Sequence, residues 1–372
     1  MNRTVLIAAG AILAVIAAGV VYLLTATQPK PSITVVSWGG AYLTSQIEAY
    51  HKPYMATHEA IITSESYSGG IALVKAQVES GAVTWDVVDF EVADAIRACD
   101  EGLLETIDLE SLPPGADGKP ATEDFLKGSL DPCYVATIVF SHIIAYDKSK
   151  FPTDPPTTAA AFFDLATYPG KRGLRRQNPK STLELALYAD GVPANLVPEV
   201  LKTPEGLDRA FAKLDTIKQD VVWWQEGAQP VQLLASGQVV MTTAYNGRIF
   251  DAVVGEGKPF ATIWDGQRFD LDVWGIVKGT KNKALALDFL KFSTDTQRLA
   301  DQARYIAYAP ARASSIKIIE EPGFTHAIKG VRMLEYMPTA PQNAFNSITT
   351  DHRWWADHQE EVEARWNAWL AQ

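Results

Sequence analysis

Apolar and polar positions alternate in two rhythms along this chain, and the rhythms themselves take turns. Ser32–Ser37 is a short β-branched run halted by Trp38-Gly39-Gly40, after which Leu43, Ile47, Tyr50 and Tyr54 recur at helical spacing over Ala41–Tyr54. Ile71–Val78 predicts a helix, Trp85–Phe90 a buried strand, Glu91–Cys99 a helix and Thr137–Tyr146 a strand. The series continues through Pro204–Gln219 (helix), Val239–Ala244 (strand), Asn246–Val254 (helix) and Leu271–Val277 (strand). It closes with helices near Lys283–Phe292 and Thr296–Tyr305. Such alternation predicts α/β lobes built on largely parallel sheets. In the tail, Trp355, Val362, Trp366 and Trp369 fall near one helical face, a stripe whose ordinary use is core packing.

Ahead of this series, Val5 to Leu24 carries no charge and follows Arg3. About twenty apolar residues suffice to cross a bilayer as a helix, whereas a secretory h-region has roughly 7–15. The best cleavage position, after Ala26, has bulky Leu24 three residues back. Residues 1–30 are therefore a signal peptide or a retained N-terminal membrane anchor. In both cases Arg3 stays cytoplasmic and the remainder is exported to the periplasm, tethered to the inner membrane by residues 5–24 if the anchor is kept.

The roughly 340 residues after Lys30 exceed one simple core and predict two domains. With 47% hydrophobic and 21% charged residues the chain is globular, and its net charge of −11 argues against nucleic acid as a partner. Cys99 and Cys133 are the two cysteines. In an oxidising compartment an even count predicts one disulfide, the alternative being two separate buried thiols. Neither a CxxC pair nor any enzyme signature occurs: no Gly-x-Ser-x-Gly elbow, His-Glu-x-x-His, phosphate loop or Gly-x-Gly-x-x-Gly. His352 and His358 do not share a helix face, and Tyr305 with Tyr308 make no ferric-ion cluster. The expectation is a protein without catalysis, metal or cofactor.

Several linked strings narrow the class: Ser37-Trp38-Gly39-Gly40-Ala41-Tyr42, Trp85-Asp86-Val87-Val88-Asp89, Tyr168-Pro169-Gly170-Lys171-Arg172-Gly173, Tyr245-Asn246-Gly247-Arg248 and Asp270-Leu271-Asp272-Val273-Trp274. In number, order and spacing they resemble the bacterial spermidine/putrescine-binding protein family, from Ile33 to about Trp369. The resemblance implies a two-lobed α/β type II periplasmic-binding fold with two crossover strands, near Thr137–Ala145 and Asp270–Val273. Lobe 1 would combine residues 32–138 with 273–372, and lobe 2 would span 139–272. The implied role is the ligand-binding partner of an ABC permease, acting as a monomer, with the ligand between the lobes. An envelope sensor anchored in the membrane would use the same architecture.

A ligand with an ammonium group needs carboxylates and aromatic faces. Trp38, Tyr245, Tyr308 and Gln342 match family contacts, and Asp272 matches the family's ammonium-binding aspartate. Asp270 shares the face of Asp272 by period-two alternation, and Asp89 and Glu91 follow a strand into the cleft. Where polyamine binders carry two further carboxylates, this chain has Asn178 and Ser181, amid Arg175, Arg176 and Lys180. Ser181 through Glu184 also reads as a plain helix cap. Arg248 stands at a helix start, where positive charge is unfavourable, and suits a carboxylate. The ligand expected is an amine, either an ω-amino acid resembling 4-aminobutyrate or a polyamine.

Overall fold

The fold is organised by two strands long enough to serve both halves of the molecule. The computed structural model describes residues 30–372, so the apolar segment 5–24 lies outside it. Its strands are β1 (Ser32–Ser37), β2 (Ile61–Ser66), β3 (Val87–Glu91), β4 (Leu130–Asp131), β5 (Tyr134–Asp147), β6 (Arg172–Arg175), β7 (Val221–Trp224), β8 (Met241–Tyr245), β9 (Phe260–Ile276) and β10 (Ala309–Pro310). They run in the order β2-β1-β3-β9-β5-β8-β6-β7, with β4 and β10 on β5. Pairing is parallel within β2-β1-β3 and within β8-β6-β7, and antiparallel wherever β5 or β9 takes part. All residues of β5 are buried, the polar Thr137, Ser141, His142 and Asp147 among them, as expected for a strand covered on both faces. Both sequence-predicted crossovers lie within these longer strands.

Five helices matter for the site: α1 (Gly40–Gln46), α2 (Val92–Asp100), α3 (Lys180–Ala189), α4 (Asn246–Phe250) and α5 (His352–Leu370). One core gathers Val35, Val88, Phe90, Val273, Trp274 and Phe289 around β1, β3 and the end of β9. A second gathers Phe162, Leu174, Leu183, Leu187, Phe211 and Leu214 around β6 and α3. The tail packs on the second core, whereas the resemblance groups residues 273–372 with the first lobe. Asp351 caps α5 by accepting from Trp354 N, and the helix sends Trp355, Val362, Trp366 and Trp369 into the second core. Helix α5 touches α2 of the first half through Arg97–Glu360 and Arg353–Asp100, pairs whose Glu360, Arg353 and Asp100 are largely exposed. Among the described residues no helix is long and apolar enough to cross a membrane.

Cys99, at the end of α2, is bonded to Cys133, with Cα atoms 5.7 Å apart and 34 positions between them in sequence. Closing a loop of this length in the unfolded chain is worth about 3–4 kcal/mol in the chain-entropy view. Cys99→Ser/Cys133→Ser should lose that much in urea unfolding while keeping wild-type ligand affinity, because the bridge lies within the first half and away from the cleft.

Candidate functional site

Four carboxylates share one face of two neighbouring strands. Asp89 and Glu91 are two apart on β3, Asp270 and Asp272 two apart on β9, and the register sets Glu91 directly opposite Asp272. Like charges in such positions repel, so the surroundings of each carboxylate decide what the face can do.

Three of the four are provided for. Asp270 is bound by Lys180 and Arg268, each at 2.8 Å; burial pushes its pKa up, but these cations overcome burial and hold it well below the usual range. Glu91 accepts from Arg175 at 3.1 Å and Asn178 at 3.2 Å and pairs with Lys180 at 3.1 Å. Burial opposes its ionisation, and Lys180 and Arg175 outweigh burial to lower its pKa. Asp89 is met by neutral donors, Gln46 Nε2 at 2.6 Å and Ser37 Oγ at 3.3 Å; burial lifts its pKa to about 7 against these bonds. Asp272 has no cation within ion-pair distance among the described residues. Burial raises its pKa well above the ordinary carboxylate value, and Asp89, Glu91 and Asp270 raise it further.

Asp272 and Glu91 line a cavity between the two halves, together with Arg248, Arg175 and an aromatic shell. In the shell, Trp38 stands 5.1 Å from Tyr67, Tyr42 5.4 Å from Tyr308, and Phe140 5.7 Å from Tyr245 between ring centroids. Trp38 and Tyr42 stand against Asp89 and ease its ionisation against burial, and Arg175 Nε is buried without a hydrogen-bond partner among the described residues.

Arg248 reaches across from α4 and donates through Nη2 to the carbonyls of Trp38 at 3.0 Å and Gly39 at 3.2 Å. No carboxylate lies within ion-pair distance of it among the described residues. Two glycines make its placement feasible. Gly40 sits at a φ of +57°, and a Cβ there would lie 2.5 Å from Arg248 Nη1; a Cβ on Gly247 would lie 2.5 Å from the Tyr308 ring. Asn246 pins the start of α4 by accepting from Ser141 N at 2.9 Å and donating to Ala307 O at 2.6 Å. These contacts explain the Trp-Gly-Gly and Tyr-Asn-Gly-Arg strings as one junction between the halves.

Of the residues singled out from sequence, Trp38, Glu91, Tyr245, Arg248, Asp272 and Tyr308 line the cavity. The others do not. Asp89 lies behind the wall, and Asp270 is fully engaged by cations. Asn178 supports Glu91 from outside, with a φ of 51°. Ser181 is the second residue of α3, which begins after Pro179 without a side-chain cap, so it neither caps the helix nor faces the cavity. Gln342 is exposed in a surface turn, where its buried neighbour Asn343 makes the structural bonds to Glu335 O and Met337 O. Sequence reasoning passed over Tyr42, Tyr67, Phe140 and the loop Gln225–Gly227, and noticed Arg175 only as a neighbour.

A family model described as bacterial extracellular solute-binding protein matches residues 47–326. The gamma-aminobutyric acid-binding protein of Pseudomonas aeruginosa is 42% identical over 353 residues, 95% of this chain and 95% of that protein. Among solved structures, the PBP MotA from A. tumefaciens B6, in complex with glucopine, has a TM-score of 0.82 at 29% identity, covering 91% of this chain and 99% of its own. A GABA receptor has a TM-score of 0.76 at 32% identity, covering 92% of this chain and 98% of its own.

Proposed function

This chain belongs to the bacterial extracellular solute-binding protein family, and from that premise we propose that it captures an ω-amino acid of the 4-aminobutyrate type and delivers it to the permease of an ABC importer. The observation that carries the reading is a pair of buried groups of opposite sign in one cavity, Asp272 without a cation and Arg248 without an anion among the described residues. Asp272 takes the ammonium of the ligand and Arg248 its carboxylate, with Trp38 and Tyr245 along the methylenes. The gamma-aminobutyric acid-binding relative supports the same class. A diamine would need a second buried, unmatched carboxylate: Glu91 and Asp270 are matched by Lys180, Arg175 and Arg268, and Glu226, on the rim of the wall, is exposed and accepts from Ser68.

In this reading lobe 1 is built from residues 32–138 and the chain after 273, and lobe 2 from 139–272, with α5 fastened to the second. The protein works outside the cytoplasmic membrane as a monomer, either freed by cleavage of its leader or held there by residues 5–24.

Calorimetric titration of residues 30–372 tests the proposal: 4-aminobutyrate should fill a single saturable site and putrescine should bind far more weakly. Tighter binding of putrescine would overturn it. The state of Asp272 adds a pH signature. Its pKa is raised in the empty site, and an ammonium beside it lowers that pKa, so below the raised value binding must expel a proton. Affinity should therefore fall as pH falls, and heats measured in buffers of different ionisation enthalpy should report proton release, not uptake.

A further inference from the structure

Lys180 already places an amine on the carboxylate face. Its Nζ lies 2.8 Å from Asp270 Oδ2 and 3.1 Å from Glu91 Oε2, with the side chain only 3% exposed. Glu91 is at the same time part of the cavity wall and the cross-strand neighbour of Asp272. Without the lysine ammonium, Glu91 would keep Arg175 as its one ionic partner and stand beside Asp272 as a half-compensated carboxylate, open to a second ligand ammonium at its Oε2 side. The remaining cations on the cluster, Arg175 and Arg268, each hold one of the freed carboxylates and do not bridge them.

Resting on the reading of the cleft as a zwitterion site, we propose that Lys180 determines specificity: its ammonium fills the second cation position beside Glu91 and so excludes diamines. The lysine acts as an internal substitute for half of a diamine. Selectivity thus comes from a protein charge that occupies the competing subsite, and repulsion of the second ligand ammonium by Lys180 and Arg175 reinforces it.

The test compares affinity ratios, because a merely structural lysine would weaken both ligands alike. Calorimetry on Lys180→Ala should show the putrescine-to-4-aminobutyrate affinity ratio raised about tenfold or more over wild type. Lys180→Ala/Glu91→Gln, which removes the receiving carboxylate, should return the ratio to the wild-type value. Should Lys180→Ala fail to fold, Lys180→Gln removes the same charge with less lost volume and is judged by the same ratio. An unchanged ratio in a folded variant, or a parallel loss for both ligands, overturns the role of Lys180. Wild type preferring putrescine instead overturns the zwitterion reading itself, whatever the variants do.

Discussion

Asp272→Asn should weaken 4-aminobutyrate by about 2–5 kcal/mol, roughly thirtyfold to several-thousandfold, since it removes one partner of a buried charge pair. The fold should tolerate the change. In the empty protein burial and the neighbouring carboxylates Asp89, Glu91 and Asp270 already press Asp272 toward its neutral form, which asparagine imitates. The ligand-free variant should therefore melt at or above the wild-type temperature while losing most of the ligand-induced increase. Loss of affinity accompanied by an equal loss of stability would instead make Asp272 a structural residue.

Arg248→Ala should weaken 4-aminobutyrate by a comparable factor, because the ligand carboxylate loses a guanidinium that no protein carboxylate shares. For putrescine the same change removes a positive charge from the cavity, and its affinity should hold or rise. The contrast matters because Arg248 also donates to the carbonyls of Trp38 and Gly39 across the cleft. If both ligands lose affinity equally in calorimetry, Arg248 serves only as a contact between the halves. Arg248→Lys keeps the charge without the planar fork and should fall between wild type and alanine.

The architecture was legible because local patterning and tertiary role agree over most of the chain. The alternating runs gave β1, β3, β5, β8 and β9 and most of the helices, with ends shifted by a few residues; β9, however, starts far earlier than its apolar run, at Phe260. β2, β6 and β7 were not read. β2 is an edge strand with Ile61 and Glu65 exposed, so burial leaves little imprint on it. β6 is Arg172-Gly173-Leu174-Arg175, in which Arg172 is fully buried by donating to the carbonyls of Phe162, Gly170 and Tyr168. Nothing in local sequence announces an arginine satisfied by backbone. The site was legible where one string carried both position and chemistry, as at Trp38, Tyr245-Arg248 and Asp272. It was not legible where charge state depends on distant partners. Asp270 and Asp272 look alike in sequence, and it is chiefly Lys180 and Arg268 that make one matched and the other unmatched.

The way α5 closes the second core bears on when the protein can fold. Trp355 Nε1 donates to Glu184, 171 positions earlier, and Trp366 Nε1 to the carbonyl of Arg176, 190 positions earlier. The half of the molecule that supplies Arg248 and Lys180 is thus sealed by a helix remote from it in sequence. Contacts so remote in sequence form slowly, and the second core stays open on one side until α5 docks and brings Trp355, Trp366 and Trp369 to it.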